Sequence, residues 1–267
     1  MGLGDRRRRT HMAQARNAPR HARSASVDPS EVARFTALAE RWWDPHGEFG
    51  PLHRLNPLRI AYIRDALARE RGSDPLRPRP LKGLRLLDVG CGGGLLAEPM
   101  ARLGARVVGI DAGARNIAVA TRHAAESGLA IDYRCASAED LARRRERFDA
   151  VLALEIVEHV ADLDAFFDAL ERLLRPGGML ILATLNRTAK AFALAIVGAE
   201  YLLRWLPRGT HDWSKFLRPS ELAAQLRRRG LVLEDLSGVR YEPLAGDFRL
   251  SRDLSVNYLA RARKPSA

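Results

Sequence analysis

The chain has 267 residues, 46% of them hydrophobic, enough for one large α/β domain with its own core. Its two cysteines, Cys91 and Cys135, exclude a disulfide framework or a cysteine metal cluster and point to a reducing compartment. A net charge of +12 would suit a nucleic-acid-binding protein, but half of it lies in residues 1–26, where seven arginines against the one acid Asp5 leave +6.

Residues 1–26 hold no apolar stretch of the kind a signal peptide needs. They share an Arg-rich, acid-poor composition with mitochondrial transit peptides, but the expectation is a disordered basic tail, or sequence ahead of a start at Met12. Asp28-Pro29-Ser30-Glu31 then starts a helix, with aspartate as cap, proline in the first turn and glutamate closing a capping box. Val32, Phe35, Leu38 and Trp42 share one face of it, and Pro45 stops it. A second helix is expected from about Leu58 to Arg71, so residues 27–80 form a helical lid ahead of the main domain, 81–264, with 72–83 as linker.

From Leu84 strands and helices alternate. Strands are expected at Leu84–Val89, Arg106–Ile110, Ile131–Arg134, Phe148–Leu154 and Met179–Thr184. Helices fall at about 113–127, after the cap Asp162, and from Pro219 to Arg229, while Val232–Leu236 and Ser255–Ala262 read as a closing hairpin. The result is a mostly parallel seven-stranded sheet with helices on both faces and right-handed crossovers. Ligands then belong at the carboxyl ends of the first and fourth strands, where the strand order reverses. No run of roughly 18 apolar residues predicts a membrane span.

The first strand ends in Asp88-Val89-Gly90-Cys91-Gly92-Gly93-Gly94, and a helical pattern follows. Such a loop lets the backbone approach a ligand with its N–H groups pointing outward. It suits a dinucleotide, a mononucleotide or S-adenosylmethionine. Asp111 ends the second strand 19 residues after Gly92, the place of an acid that holds ribose hydroxyls. Gly-x-Gly-Gly-Gly departs from the dinucleotide pattern Gly-x-Gly-x-x-Gly. With Asp88 two residues ahead, the stretch is instead similar to the first motif of class I methyltransferases, which leaves a nicotinamide cofactor as second choice.

The flanks narrow the resemblance. Arg41-Trp42-Trp43-Asp44, Pro51-Leu52-His53, Asn56-Pro57-Leu58-Arg59, Thr184-Leu185-Asn186-Arg187, Gly209-Thr210-His211-Asp212 and Val256-Asn257-Tyr258 resemble the bacterial ubiquinone-biosynthesis O-methyltransferases over residues 31 to about 260. The resemblance implies the class I, Rossmann-like methyltransferase fold, with an N-terminal lid and a helical insertion after strand five. It implies S-adenosyl-L-methionine as cofactor and, as substrates, the phenolic hydroxyls of polyprenylated quinol precursors, at the demethylubiquinol and polyprenyl-catechol steps. Arg59, Gly90, Gly92, Asp111 and Leu154 take cofactor-contacting positions. Ser137 stands where many class I enzymes have an acid. A methyltransferase for another small phenol or lipid, or an RNA methyltransferase, is the alternative; no nucleic-acid partner is expected, since no aromatic-interleaved basic patch follows the tail.

Glu155-Ile156-Val157-Glu158-His159 follows the fourth strand, beside the expected methyl position. A phenol with a pKa of about 10 needs help to lose its proton near neutrality. Besides a purely structural part, with the glutamate capping a turn and the histidine packing, two chemical roles suit the cluster. His159, supported by Glu158, serves as catalytic base, or Glu155, Glu158 and His159 hold a divalent ion such as magnesium (Mg2+) that acidifies the phenol.

Residues 187–218 contain a largely apolar stretch, 191–206, with Arg187 and Lys190 before it and Arg208, Lys215 and Arg218 after it. It reads as a helix lying in the headgroup region of an anionic membrane surface. The expected location is cytoplasmic, peripherally associated with the inner face of the cytoplasmic membrane, where other ubiquinone-biosynthesis enzymes are natural partners.

Overall fold

The computed structural model describes residues 25–193, 212–242 and 246–266. The basic tail expected at 1–26 lies almost wholly outside them, as does most of the expected membrane helix at 191–206.

The sheet is built from β1 (Arg85–Val89), β2 (Arg106–Asp111), β3 (Asp132–Cys135), β4 (Phe148–Leu154), β5 (Leu174–Leu185), β6 (Val232–Glu242), β7 (Asp247–Ser251) and β8 (Asn257–Arg263). Their order is β3-β2-β1-β4-β5-β8-β6-β7. The first five strands are parallel, and β8 joins antiparallel to β5. Among the described residues, eight strands replace the seven expected. Val232–Leu236 and Ser255–Ala262 do not form a hairpin with each other: β6 turns back into β7, and β8 returns to pair between β5 and β6. The extra strand is an edge, with Asp247, Arg249 and Leu250 all exposed, so it carries none of the apolar density that marks a buried strand.

Alternation along the central strands feeds two cores. Leu87, Val151, Ala153 and Leu180 face one side, against α5 (Ala138–Arg143), α6 (Leu163–Leu173) and α8 (Pro219–Arg228). Leu86, Ala150, Leu152 and Ile181 face the other, against α2 (Gly50–Glu70) and α3 (Ala97–Arg102). Asp162 caps α6 as expected, its side chain accepting from the Ala165 N–H at 2.9 Å. Ser137 caps α5 in a reciprocal box with Asp140, a local reason for a serine there. One helical turn, α7 (Ala189–Ala191), opens the insertion.

The N-terminal helices differ from expectation in their bounds. α1 (Pro29–Ala37) stops before Trp42, and a single 3-10 turn, Ala39–Arg41, follows it. Asp28 caps α1 through the Ser30 N–H at 2.9 Å, but Glu31 does not close a box; it points away from the cap to His159. α2 starts eight residues earlier than expected, at Gly50 instead of Leu58, because Pro51 occupies its first turn while Pro57 is carried inside it. The remaining helix, α4 (Ala114–Glu126), packs Val119 against Trp42 and Phe49.

Leu170 of α6 is fully buried between helix and sheet. Leu170→Ala should lower unfolding free energy by about 2–5 kcal/mol, read as a shift of the denaturant midpoint at unchanged slope.

Candidate active site

The glycine loop after β1 is shaped by what lies on it. A Cβ at residue 92 would sit 2.4 Å from Cζ2 of Trp42, and one at residue 93 would sit 2.3 Å from its Cβ. A stacked indole cannot yield that distance, so the side-chain-free surface of Gly92 and Gly93 is the seat of Trp42. The ring stacks on Phe49 at 3.8 Å and donates its N–H to Oδ1 of Asn116 at 3.1 Å. Trp43 donates to the Gly93 carbonyl at 2.9 Å and stacks on His123 at 3.5 Å. The segment read as a lid is thus a wall of the glycine loop.

Asp111, at the end of β2, accepts from the Gly92 N–H at 3.1 Å with one oxygen and from the Gly113 N–H and Asn116 Nδ2 at 2.7 and 3.0 Å with the other. Burial pushes its carboxyl up, and these hydrogen bonds pull the other way. Asp88 is also buried, and its Oδ2 has no hydrogen-bond partner among the described residues. Burial first, and then the charge of Asp111, raise its carboxyl to about 7.

Two adjoining cavities meet at this loop. One of about 120 Å³ runs past Gly90, Ile110, Asp111 and Ser137 beneath α1. The other, of about 500 Å³, is walled by Leu55, Arg59, Asp88, Leu154 and Phe248. Gly90, Phe35, Trp42, Glu155 and His159 border both. Arg59, Gly90, Asp111 and Leu154 therefore all reach the cavities, and Gly92 forms the loop's turn under Trp42.

The turn after β4 distributes its side chains among three elements. Glu155 holds a left-handed backbone (φ +52°), with its N–H on the Ala183 carbonyl at 2.9 Å. Its carboxylate pairs with the buried Arg59 of α2. Burial draws the Arg59 guanidinium pKa down, and the charges of Glu155 and Glu158 oppose that. Glu158 is buried and accepts from the Thr184 hydroxyl at 2.9 Å, while its Oε1 has no hydrogen-bond donor among the described residues. Burial, followed by the charge of Glu155, lifts its carboxyl well above the usual range. His159 turns the other way: its Nδ1 lies 3.0 Å from Oε2 of Glu31 on α1.

This arrangement does not fit the magnesium expectation. Glu155 faces Arg59, Glu158 faces Thr184 and His159 faces Glu31, and among the described residues no three His, Cys, Asp or Glu side chains converge on a point that could hold an ion. Sequence reasoning also missed the part played by the N-terminal segment. Glu31 fits a capping box and Trp42 a helix face, and neither position carries a local signal of a partner 128 or 50 and more residues away.

Residues 87–182 match the model of a methyltransferase domain. The chain is 56% identical over 246 residues to the ubiquinone biosynthesis O-methyltransferase of Chelativorans, covering 92% of this chain and 97% of that one. It is 56% identical over 243 residues to the protein of the same name from Cereibacter sphaeroides, covering 91% and 98%. The chain belongs to the ubiquinone biosynthesis O-methyltransferase family. Solved structures bear out the class I methyltransferase fold. A magnesium protoporphyrin IX methyltransferase from Synechocystis with bound SAM superposes with a TM-score of 0.59 at 16% identity, over 90% of this chain and 99% of that one. A possible histamine N-methyltransferase from Thermotoga maritima gives 0.57 at 20%, over 88% and 98%.

S-adenosylmethionine, the cofactor of this enzyme class, fits the residues present. A buried acid, Asp88, whose Oδ2 has no hydrogen-bond partner among the described residues, suits its cationic methionine part, and Arg59 suits its carboxylate. Asp88 with a carboxyl near 7 is mostly neutral below that pH and attracts a cation only above it. Affinity for S-adenosylmethionine, measured by calorimetry, should therefore rise several-fold from about pH 6 to about pH 8. Asp88→Asn should bind more weakly with a flat profile. A flat profile in the unaltered protein would remove Asp88 from cofactor recognition.

Proposed function

We propose that this protein transfers the methyl group of S-adenosylmethionine to phenolic hydroxyls of polyprenylated ubiquinone precursors, at both the demethylubiquinol and the polyprenyl-catechol steps. The observation that carries this reading is the junction of the two cavities: the glycine-loop cavity opens onto a chamber of about 500 Å³ walled by leucines and Phe248, and His159 stands at the border. A phenol head with the first units of its isoprenoid chain suits an apolar chamber of this size.

The cofactor supplies an already activated methyl group. The chain's residues then have two tasks. The first is alignment of oxygen with the methyl, which contributes up to ~7–11 kcal/mol in ideal intramolecular systems. Arg59, Gly90, Gly92, Asp111 and Leu154 hold the cofactor for this, with Trp42 and Phe35 closing the site to water. The second is removal of the phenol proton. With Nδ1 of His159 committed to Glu31, Nε2 is the atom that takes it. Glu158, anchored by the Thr184 hydroxyl, offers a buried carboxyl beside the acceptor site. Assay with S-adenosylmethionine and a short-chain prenyl catechol tests the reading directly. His159→Ala should lower turnover by roughly 10²–10⁴ with cofactor affinity retained. A fully active His159→Ala would remove this residue as base.

The substrate's tail also places the enzyme at a membrane. Among the described residues no helix is long and apolar enough to cross one. Phe192 and Trp213, near the two ends of the insertion, are 45% and 38% exposed and meet edge to face at 6.5 Å. Two exposed aromatics beside Arg187, Lys190, Lys215 and Arg218 favour peripheral docking on anionic lipid at the inner face of the cytoplasmic membrane. Arg187 and Lys190 already pair with Glu221 and Asp253, so the aromatics carry the docking. In flotation with vesicles containing anionic lipid, the unaltered protein should rise with the lipid at low salt, and deletion of 191–206 or the pair Phe192→Ser, Trp213→Ala should leave it at the bottom. An unaltered protein that stays in the soluble fraction would end the docking idea.

A further inference from the structure

His159 is held by a part of the chain that its own neighbourhood does not supply. Oε2 of Glu31 lies 3.0 Å from Nδ1, and Arg34 Nη2 binds the same carboxylate while reaching the same ring nitrogen at 3.5 Å. The Phe35 ring packs edge-on against the imidazole at 5.1 Å and 80°. Glu31, Arg34 and Phe35 all project from α1. Side-chain exposure is 9% for His159 and 19% for Glu31, so the pair is largely removed from water.

A carboxylate oxygen can only accept. At 3.0 Å from Nδ1 it requires a proton on that nitrogen, which leaves Nε2 as the lone-pair atom of the neutral ring. Burial pushes the Glu31 carboxyl up, but the hydrogen bond and charge of His159, with Arg34 and Lys215, outweigh it and hold the group below its ordinary range, so it remains a carboxylate and a steady acceptor.

The segment that carries Glu31 is fastened on both sides of the histidine. Val27 bridges Val160, the Ala161 N–H donates to the Ser26 carbonyl at 2.9 Å, and the Ser26 N–H donates to Glu139 at 3.1 Å. Asp28, the cap of α1, is paired with Lys215 beyond the insertion. The same segment roofs the cavity that contains Gly90 and Asp111.

We infer that Glu31 is a positioning residue for the methyl transfer: it fixes the tautomer and direction of the His159 ring, so that the base is complete only while α1 covers the cofactor cavity. This rests on the reading of His159 as base. It makes covering of the cofactor and arming of the base one event, because a single helix does both.

The test is Glu31→Gln in the full chain, beside His159→Ala. Gln keeps the size and can still meet the ring but no longer demands a proton on Nδ1. Turnover should fall roughly 10- to 10²-fold, with KM for S-adenosylmethionine and calorimetric affinity for S-adenosylhomocysteine within about threefold, which shows a seated α1. With 15N-labelled histidine at alkaline pH, His159 should be an Nδ1–H tautomer in the unaltered protein and shift toward Nε2–H in Glu31→Gln. Adding Glu31→Gln to His159→Ala should cause no further loss. Full turnover in Glu31→Gln with a crippled His159→Ala would overturn the positioning role and leave the base reading standing. Equal losses of turnover and affinity with an unchanged tautomer would make Glu31 a staple of α1 and overturn it too. An active His159→Ala would bring down both readings together.

Discussion

The indole of Trp42 occupies the space that side chains at residues 92 and 93 would fill. Much of the site follows from that contact. The ring's N–H goes to Asn116, whose amide goes to Asp111, whose second oxygen returns to the Gly92 N–H. The loop, the acid at the end of β2 and the N-terminal segment are therefore joined in one hydrogen-bonded circuit. Glycine-rich loops are usually explained by approach of the ligand's phosphates or carboxylate to the backbone. Here two of the glycines are required by a protein side chain, so the N-terminal segment is part of the glycine loop's own packing.

The electrostatics of the interior point in the same direction. Asp88, Asp111 and Glu158 are all withdrawn from water, and the buried guanidinium of Arg59 is already paired with Glu155. Buried carboxylates without counterions are unfavourable by several kcal/mol each, and such groups respond by keeping their protons. A cationic ligand relieves the strain without a protein counterion. Asp88, whose Oδ2 has no donor among the described residues, is the group that a cationic ligand would relieve most.

What could be read from the sequence was what local forces decide. Phe148–Leu154 is a strand because an unbroken apolar run needs burial on both faces, and its bounds agree with expectation. Asp162 caps α6 because its side chain satisfies an N–H three residues away. The glycine loop and Asp111 were legible as a pair for the same reason. Failures occurred where a residue's partner is far along the chain or a local signal competes. A helix from Leu58 is expected just after Pro57, yet α2 starts at Gly50 and carries Pro57 inside it. β7 was passed over because an exposed edge strand needs no apolar alternation. Glu31 fits a capping box locally, and only the folded chain shows that His159 claims it.

The turn at residues 155–159 explains why one cluster invites two chemistries and favours one. Glu155, Glu158 and His159 would surround an ion if they projected from one face. Instead the left-handed backbone at Glu155 and the 3-10 turn Val157–His159 send them to α2, β5 and α1 in turn. Each destination also walls the cavities: α2 supplies Arg59, β5 supplies Thr184 to anchor Glu158, and α1 supplies Glu31. Glu155 and Glu158 still meet each other and all three side chains border the larger cavity, but each also has a partner of its own that fixes its direction. A histidine fixed at one nitrogen is what proton transfer at the other requires, and His159 is held at Nδ1 by Glu31.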